Sequence, residues 1–133
     1  MFICYFFLLR YVAVAYWILL TVLLLVANPL PGSVVDEAID YKHLLSFGFL
    51  GMIVLVGLSG WERRLSVPIT FVGRWTVILI LYGFLTEVAQ IFVPVRTFEL
   101  GDVFQDAIGV VCGTGIGYAI IIFLRRMVWK KLL

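Results

Sequence analysis

Four apolar stretches, residues 11–27, 43–59, 75–93 and 103–124, constrain this chain more than any other feature. Each is close to the roughly 20 residues that a helix needs to cross the hydrocarbon core of a bilayer. Lysine and arginine are absent from all four, and their only carboxylates are Glu87 and Asp106. A bilayer offers no water to backbone N–H and C=O groups, so such stretches have to be helical. The expectation is an all-α polytopic membrane protein, a four-transmembrane-helix bundle forming a single domain over residues 1–133.

Composition agrees with that reading. Hydrophobic residues make up 64% of the chain and charged residues 14%, against about 25% charged in an ordinary soluble domain. Four crossings and their connections use nearly all of the 133 residues, leaving no length for a separate soluble domain. A net charge of +2 without basic and aromatic residues interleaved outside the apolar runs argues against nucleic-acid binding. Cys4 lies near one end of the first apolar run and Cys112 inside the last, where they read as apolar filler rather than a disulfide. The apolar region from Met1 to Ala27, interrupted by Arg10 alone, has no basic residue ahead of it and no A-x-A pattern ahead of Pro29, so it reads as a retained span rather than a cleaved leader. Residues 2–9 either extend that span or lie along the interface.

Between the runs, residues 28–42 carry Pro29, Pro31 and Gly32 with Asp36, Glu37 and Asp40. Residues 60–74 carry Arg63, Arg64 and Arg74 against Glu62, and Trp61 and Trp75 stand where aromatic belts form. With four crossings, Arg10, that second connection and the basic end from Arg125 to Lys131 share one side. The opposite side holds only Lys42 and Arg96 as fixed cations. Lysine and arginine mark the cytoplasmic face, which places both termini inside and the connections holding Asp40 and Arg96 outside.

The polar residues of the second half are spaced as helix faces. Gly83, Glu87 and Gln90 fall at i, i+4 and i+7, and Asp102, Asp106, Gly109, Gly113 and Gly117 form one stripe. Small residues four apart let a neighbouring backbone approach closely in a membrane, within the chain or in a homo-oligomer. His43 opens the second span, and Arg96 lies between the third and the fourth. Ionisable groups at such depth need partners or a task. Glu87, His43 and Asp106 are therefore the candidate catalytic residues, and Arg96, Gln90 and Asp102 the candidate ligand-binding residues. Asp102 can also be a simple helix-start acid, and Arg96 with Glu87 and Asp106 a closed structural network. Glu99, Asp36 and Glu37 read as solvated loop charges. One histidine excludes an all-histidine metal centre. Mixed binding of a divalent ion by His43, Glu87, Asp102 and Asp106 needs geometry to support it, and no metal ligand is assigned.

These motifs taken in order, D-x-x-H at Asp40 and His43, E-x-x-Q at Glu87 and Gln90, P-x-R at Pro94 and Arg96, and D-x-x-x-D-x-x-G-x-x-x-G from Asp102 to Gly113, resemble the VanZ-like family. The resemblance covers residues 40–117. It implies a small multi-pass protein of the bacterial cytoplasmic membrane, in a family whose founding member is associated with resistance to the glycopeptide teicoplanin. His43, Glu87, Gln90, Arg96, Asp102 and Asp106 fall at that family's characteristic polar positions. The family usually has Asn where this chain has Asp106, and the extra acid suits a proton or a cation better than a neutral hydrogen-bonding bridge. Its helix-opening motif also commonly has one more residue between the acid and the histidine.

Three functions follow as alternatives. The cluster binds or acts on an amphiphilic envelope component, such as a lipid-linked wall precursor or a lipopeptide, with a carboxylate and His43 as acid and base and Arg96 on a phosphate or carboxylate. Alternatively it passes protons or a cation, or it only fixes helix packing. No nucleophile stands out, and no motif names a cofactor.

Overall fold

The apolar runs form four helices: α1 (Phe2–Val26), α2 (Tyr41–Ser59), α3 (Ile69–Gln90) and α4 (Leu100–Leu132). All four are long and apolar enough to cross a membrane. The structure is a computed structural model that describes residues 2–26, 41–59, 67–93 and 98–132, with side chains over 8–25, 41–59, 67–93 and 98–127. Among the described residues there is no strand. Asp36, Glu37, Asp40, Trp61, Glu62, Arg63, Arg64, Pro94 and Arg96 lie outside them.

Four helix ends differ most from the sequence expectation. Helix α1 reaches back to Phe2, so residues 2–9 continue the helix. Helix α3 starts at Ile69 rather than residue 75, because Pro68 stops the preceding backbone in an extended conformation and its carbonyl accepts the amides of Phe71 (2.9 Å) and Val72 (3.4 Å). Arg74 therefore sits inside the helix, exposed, where a long aliphatic stem can carry its charge to the interface. The same helix ends at Gln90, with residues 91–93 in a turn. Helix α4 continues past residue 124 through its basic end, where cations complement the exposed carbonyls of a helix C-terminus.

Helices α2 and α4 form the most extensive packing in the bundle, and they run parallel. His43 meets Asp102 and Asp106, Gly48 meets Gly109 and Gly113, Met52 meets Gly117, and Arg125 Nη2 donates to the Ser59 carbonyl at 3.0 Å. Helix α3 runs the other way and bridges them. Helix α1 packs on α2 and α3 and does not reach α4.

Glycine makes this pairing possible. A Cβ on Gly113 would run into the Gly48 carbonyl, and one on Gly109 into the Leu44 carbonyl. The glycine stripe of α4 is thus taken up inside the chain, against the backbone of α2. Around it Phe47, Leu50, Leu79 and Val110 are completely buried, while Leu45, Val77, Leu81, Leu85, Phe104 and Ile108 face outward. An apolar exterior over four apolar helices is the pattern of a protein surrounded by lipid. The chain is a multi-pass membrane protein.

A few hydrogen bonds cross between helices. Thr114 donates to the Val110 carbonyl (2.8 Å) and its oxygen lies 3.0 Å from Thr76 Oγ1. Thr21 donates to the Trp17 carbonyl (2.8 Å), which leaves the Tyr82 hydroxyl to donate to Thr21 at 2.7 Å. They fasten α3 to its two neighbours without placing a charge at mid-depth.

The glycine contacts predict an asymmetric response to a single methyl. Gly113→Ala should lower thermal stability in detergent by about 1–3 kcal/mol, the usual range for overpacking a tight interface. Gly115→Ala, where nothing lies within 4 Å of the added carbon, should be neutral. Thermal unfolding of the two purified variants, followed by circular dichroism, checks this.

Candidate functional site

Three helix ends meet at the end of the bundle opposite Arg10 and Arg125. His43 is in the first turn of α2, Glu87 in the last turn of α3, and Asp102 and Asp106 in the first two turns of α4. At 1.5 Å per residue all four lie within roughly 10 Å of their helix ends. The parallel pairing of α2 with α4 brings His43 beside the two aspartates, and the antiparallel α3 delivers Glu87 from the third side.

Gly83 is what lets α3 come close enough. A side chain there would sit 3.2 Å from Asp106 Cβ and 3.2 Å from the Phe47 ring, so its absence leaves room for the Asp106 carboxylate. Gly83, Glu87 and Gln90 are all buried, as their spacing along one helix face requires. Below them Phe47 lies one turn from His43 with their rings nearly parallel, 11° apart with centroids at 6.5 Å. Phe47 and Tyr82 close the floor, their ring centroids 5.8 Å apart.

His43 is the hub. Its Nδ1 is 3.1 Å from Asp106 Oδ1 and 3.9 Å from Glu87 Oε1, and its Nε2 is 3.8 Å from Asp102 Oδ2. Only the first distance is a hydrogen bond. With hydrogen on Nδ1, His43 donates to Asp106 and keeps Nε2 as a base toward Asp102, the more accessible edge of the site. With hydrogen on Nε2, the Nδ1 lone pair faces Asp106 and Glu87 instead. Asp102 keeps 22% of its side-chain surface, whereas Glu87 keeps none.

Glu87 is the most demanding residue here. It is fully buried, and among the described backbone groups only the Glu99 N–H approaches its carboxylate, without forming a well-aligned hydrogen bond. Asp106, 1% exposed, leaves Oδ2 without a hydrogen-bond partner among the described residues. Buried carboxylates without partners are destabilising by several kcal/mol when charged, so a positive charge, a hydrogen-bond donor or a bound proton has to answer them. His43, Glu87 and Asp106 each offer one metal-ligand atom, and these atoms all lie within 4.8 Å of one another.

Of the six expected site residues, His43, Glu87, Gln90, Asp102 and Asp106 are described and gather at this end, while Arg96 lies outside the described residues. Asp102 is an acid in the first turn of α4 that also faces His43. Glu99 is exposed, as expected of a loop charge. Gln90 is 2% exposed with its amide nitrogen unpartnered. Sequence reasoning missed Gln105, whose Oε1 is buried without a partner; an uncharged amide next to Asp106 was the available signal. It also missed Phe47, detectable only as the residue one turn below His43. Comparison with known protein families, curated proteins and solved structures finds no match.

An unpartnered acid predicts that stability and function conflict at this position. In chelator-treated detergent solution, Glu87→Leu should leave stability unchanged or raise it by up to about 2 kcal/mol, because a poorly paired buried charge gives way to an apolar group. Phe47→Ala should lower stability by roughly 3 kcal/mol. Thermal melts of both variants decide, and a clear loss in Glu87→Leu would mark the cluster as a structural brace.

Proposed function

We propose that the chain is a VanZ-like protein of the bacterial cytoplasmic membrane whose His43, Glu87 and Asp106 cluster engages the head group of an amphiphilic envelope component from the extracytoplasmic side. The observation that carries this reading is the pair of fully buried carboxylates, Glu87 and Asp106, held beside His43 with oxygens left unpartnered. Among the described residues no group uses those oxygens. A site that receives a donor or a cation keeps them ready.

Orientation rests on charge. Arg10, Arg74, Arg125 and Arg126 lie at the end of the bundle away from the site, and positive residues favour the cytoplasmic side. Both termini are then inside, and the acid cluster lies beneath the outer leaflet. A lipid-linked precursor or a lipopeptide can present its polar head there while its chains stay among the lipid. His43 Nε2 and the buried acids supply a base and an acid for activating a hydroxyl or a water. Arg96, carried by the adjoining connection, has the planar fork that suits a phosphate or a carboxylate. An association with teicoplanin resistance follows from the family resemblance.

Proton or cation passage is the second reading, and the unpartnered acids favour it too. Below Asp106, however, the buried residues are Leu50, Leu79, Val110 and Thr114, a layer without a carboxylate among the described residues, so a path to the other face has no visible steps.

In a host where the wild-type chain lowers teicoplanin susceptibility, Glu87→Gln and Arg96→Ala should each abolish the shift while membrane fractions hold wild-type amounts of folded protein. Unchanged susceptibility shifts in both variants would contradict the proposed site.

A further inference from the structure

We infer that His43 Nδ1, Glu87 and Asp106 form a binding site for one divalent transition ion of the Zn2+ type, with Asp102 orienting the histidine from behind. The inference goes beyond the envelope-component reading and stands without it. It begins from two independent observations. Three side chains from three helices place one ligand atom each within 4.8 Å of the others, and two of those side chains are fully buried carboxylates that keep oxygens without a hydrogen-bond partner among the described residues.

Distances favour an ion over direct pairing. In a tetrahedral site with bonds of about 2.0–2.2 Å, neighbouring ligand atoms sit roughly 3.3 Å apart. His43 Nδ1 lies 3.1 Å from Asp106 Oδ1 and 3.9 Å from Glu87 Oε1, a spread that straddles this value. The Glu87 distance is too long for a hydrogen bond yet closes with a swing of about 1 Å at the end of a three-torsion side chain.

Charge points the same way. One neutral imidazole and two ionised carboxylates carry two negative charges, which a single dication neutralises in a low-dielectric pocket. A mixed nitrogen and oxygen set suits Zn2+ and its neighbours better than Ca2+ or Mg2+, which prefer all-oxygen cages. Ligation through Nδ1 leaves hydrogen on Nε2, directed at Asp102 Oδ2 3.8 Å away. A carboxylate receiving the outer N–H of a metal-bound histidine is the usual support for such a ligand. Asp102, the most exposed of the four and the one that touches only Nε2 of His43, thereby gains a role as a positioning residue. Three protein ligands leave a fourth position for water or for an anionic oxygen.

The test uses the full chain, purified through a tag without histidine, stripped with chelator in detergent and titrated with Zn2+ alone. Equilibrium dialysis with elemental analysis should give one ion per chain, and X-ray absorption should show a nitrogen and oxygen shell containing one imidazole. His43 is the only histidine, so that imidazole identifies the site. Glu87→Gln and Asp106→Asn, close in shape to the native residues, should weaken binding at least ~100-fold, and Asp102→Asn about 10-fold. Circular dichroism melts matching wild type confirm that each variant is folded. Wild-type binding no stronger than that of a His43→Gln, Glu87→Gln and Asp106→Asn triple variant overturns the inference. Sulfur scattering from Cys4 or Cys112 overturns it as well. The readout involves no antibiotic, so it can fail while the susceptibility effects of the site stand.

Discussion

Backbone contact between α2 and α4 is the constraint on which the rest of the structure depends. Lipid tails are as apolar as leucine, so membrane helices gain little from burying hydrophobic surface and associate through close packing and hydrogen bonds instead. Gly109 and Gly113 provide that packing by lying against main-chain atoms of Leu44 and Gly48, at a separation no side chain would allow. The contact sets register as well as distance. With Gly113 on Gly48, His43 can only fall beside Asp102 and Asp106. Parallel pairing of non-consecutive helices also leaves the intervening α3 to cross back and bring Glu87 to the same end.

That register creates an electrostatic problem that the bundle leaves partly open. His43 has two ring nitrogens and three carboxylates around it, and only Asp106 is within hydrogen-bonding distance. Elsewhere the chain satisfies its buried polar atoms economically: Thr114, Thr86 and Ser59 each return a hydroxyl to a carbonyl of their own helix. Glu87 and Asp106 break that pattern, as do the Gln90 and Gln105 amides on the same two helices, and among them only the carboxylates can carry a charge. In the proposed reading an outside group, whether a cation or the head of an amphiphile, completes the arrangement.

Much of this was legible beforehand because helix periodicity survives in a membrane. The spacing of Gly83, Glu87 and Gln90 marked one buried face, and Asp106, Gly109, Gly113 and Gly117 marked another, as the structure bears out. Helix ends were harder. Arg74 and the basic tail resembled boundaries because charge was taken as the end of a span, although a long side chain lets the backbone continue through it. The pairing of α2 with α4 was not legible either: a glycine stripe states that something approaches closely, and it does not name the partner. Gln105 escaped notice because an uncharged amide carries little weight beside Asp106, and its importance lies in a buried oxygen that only coordinates reveal.

The convergence of α3 and α4 at the acids can be tested most directly by cross-linking. An ideal Cβ on Gly83 lies 3.2 Å from Asp106 Cβ, slightly closer than the roughly 3.5–4.5 Å a disulfide spans, so a small separation of the two helices brings the pair into range. In a chain with Cys4 and Cys112 replaced by alanine, Gly83→Cys with Asp106→Cys should become almost fully resistant to maleimide labelling after oxidation in native membranes, and reduction should restore labelling. Leu85→Cys with Asp106→Cys, in which Leu85 faces outward, should stay reactive. Labelling that persists in the first pair, or protection equal in both, would contradict the assembled pocket.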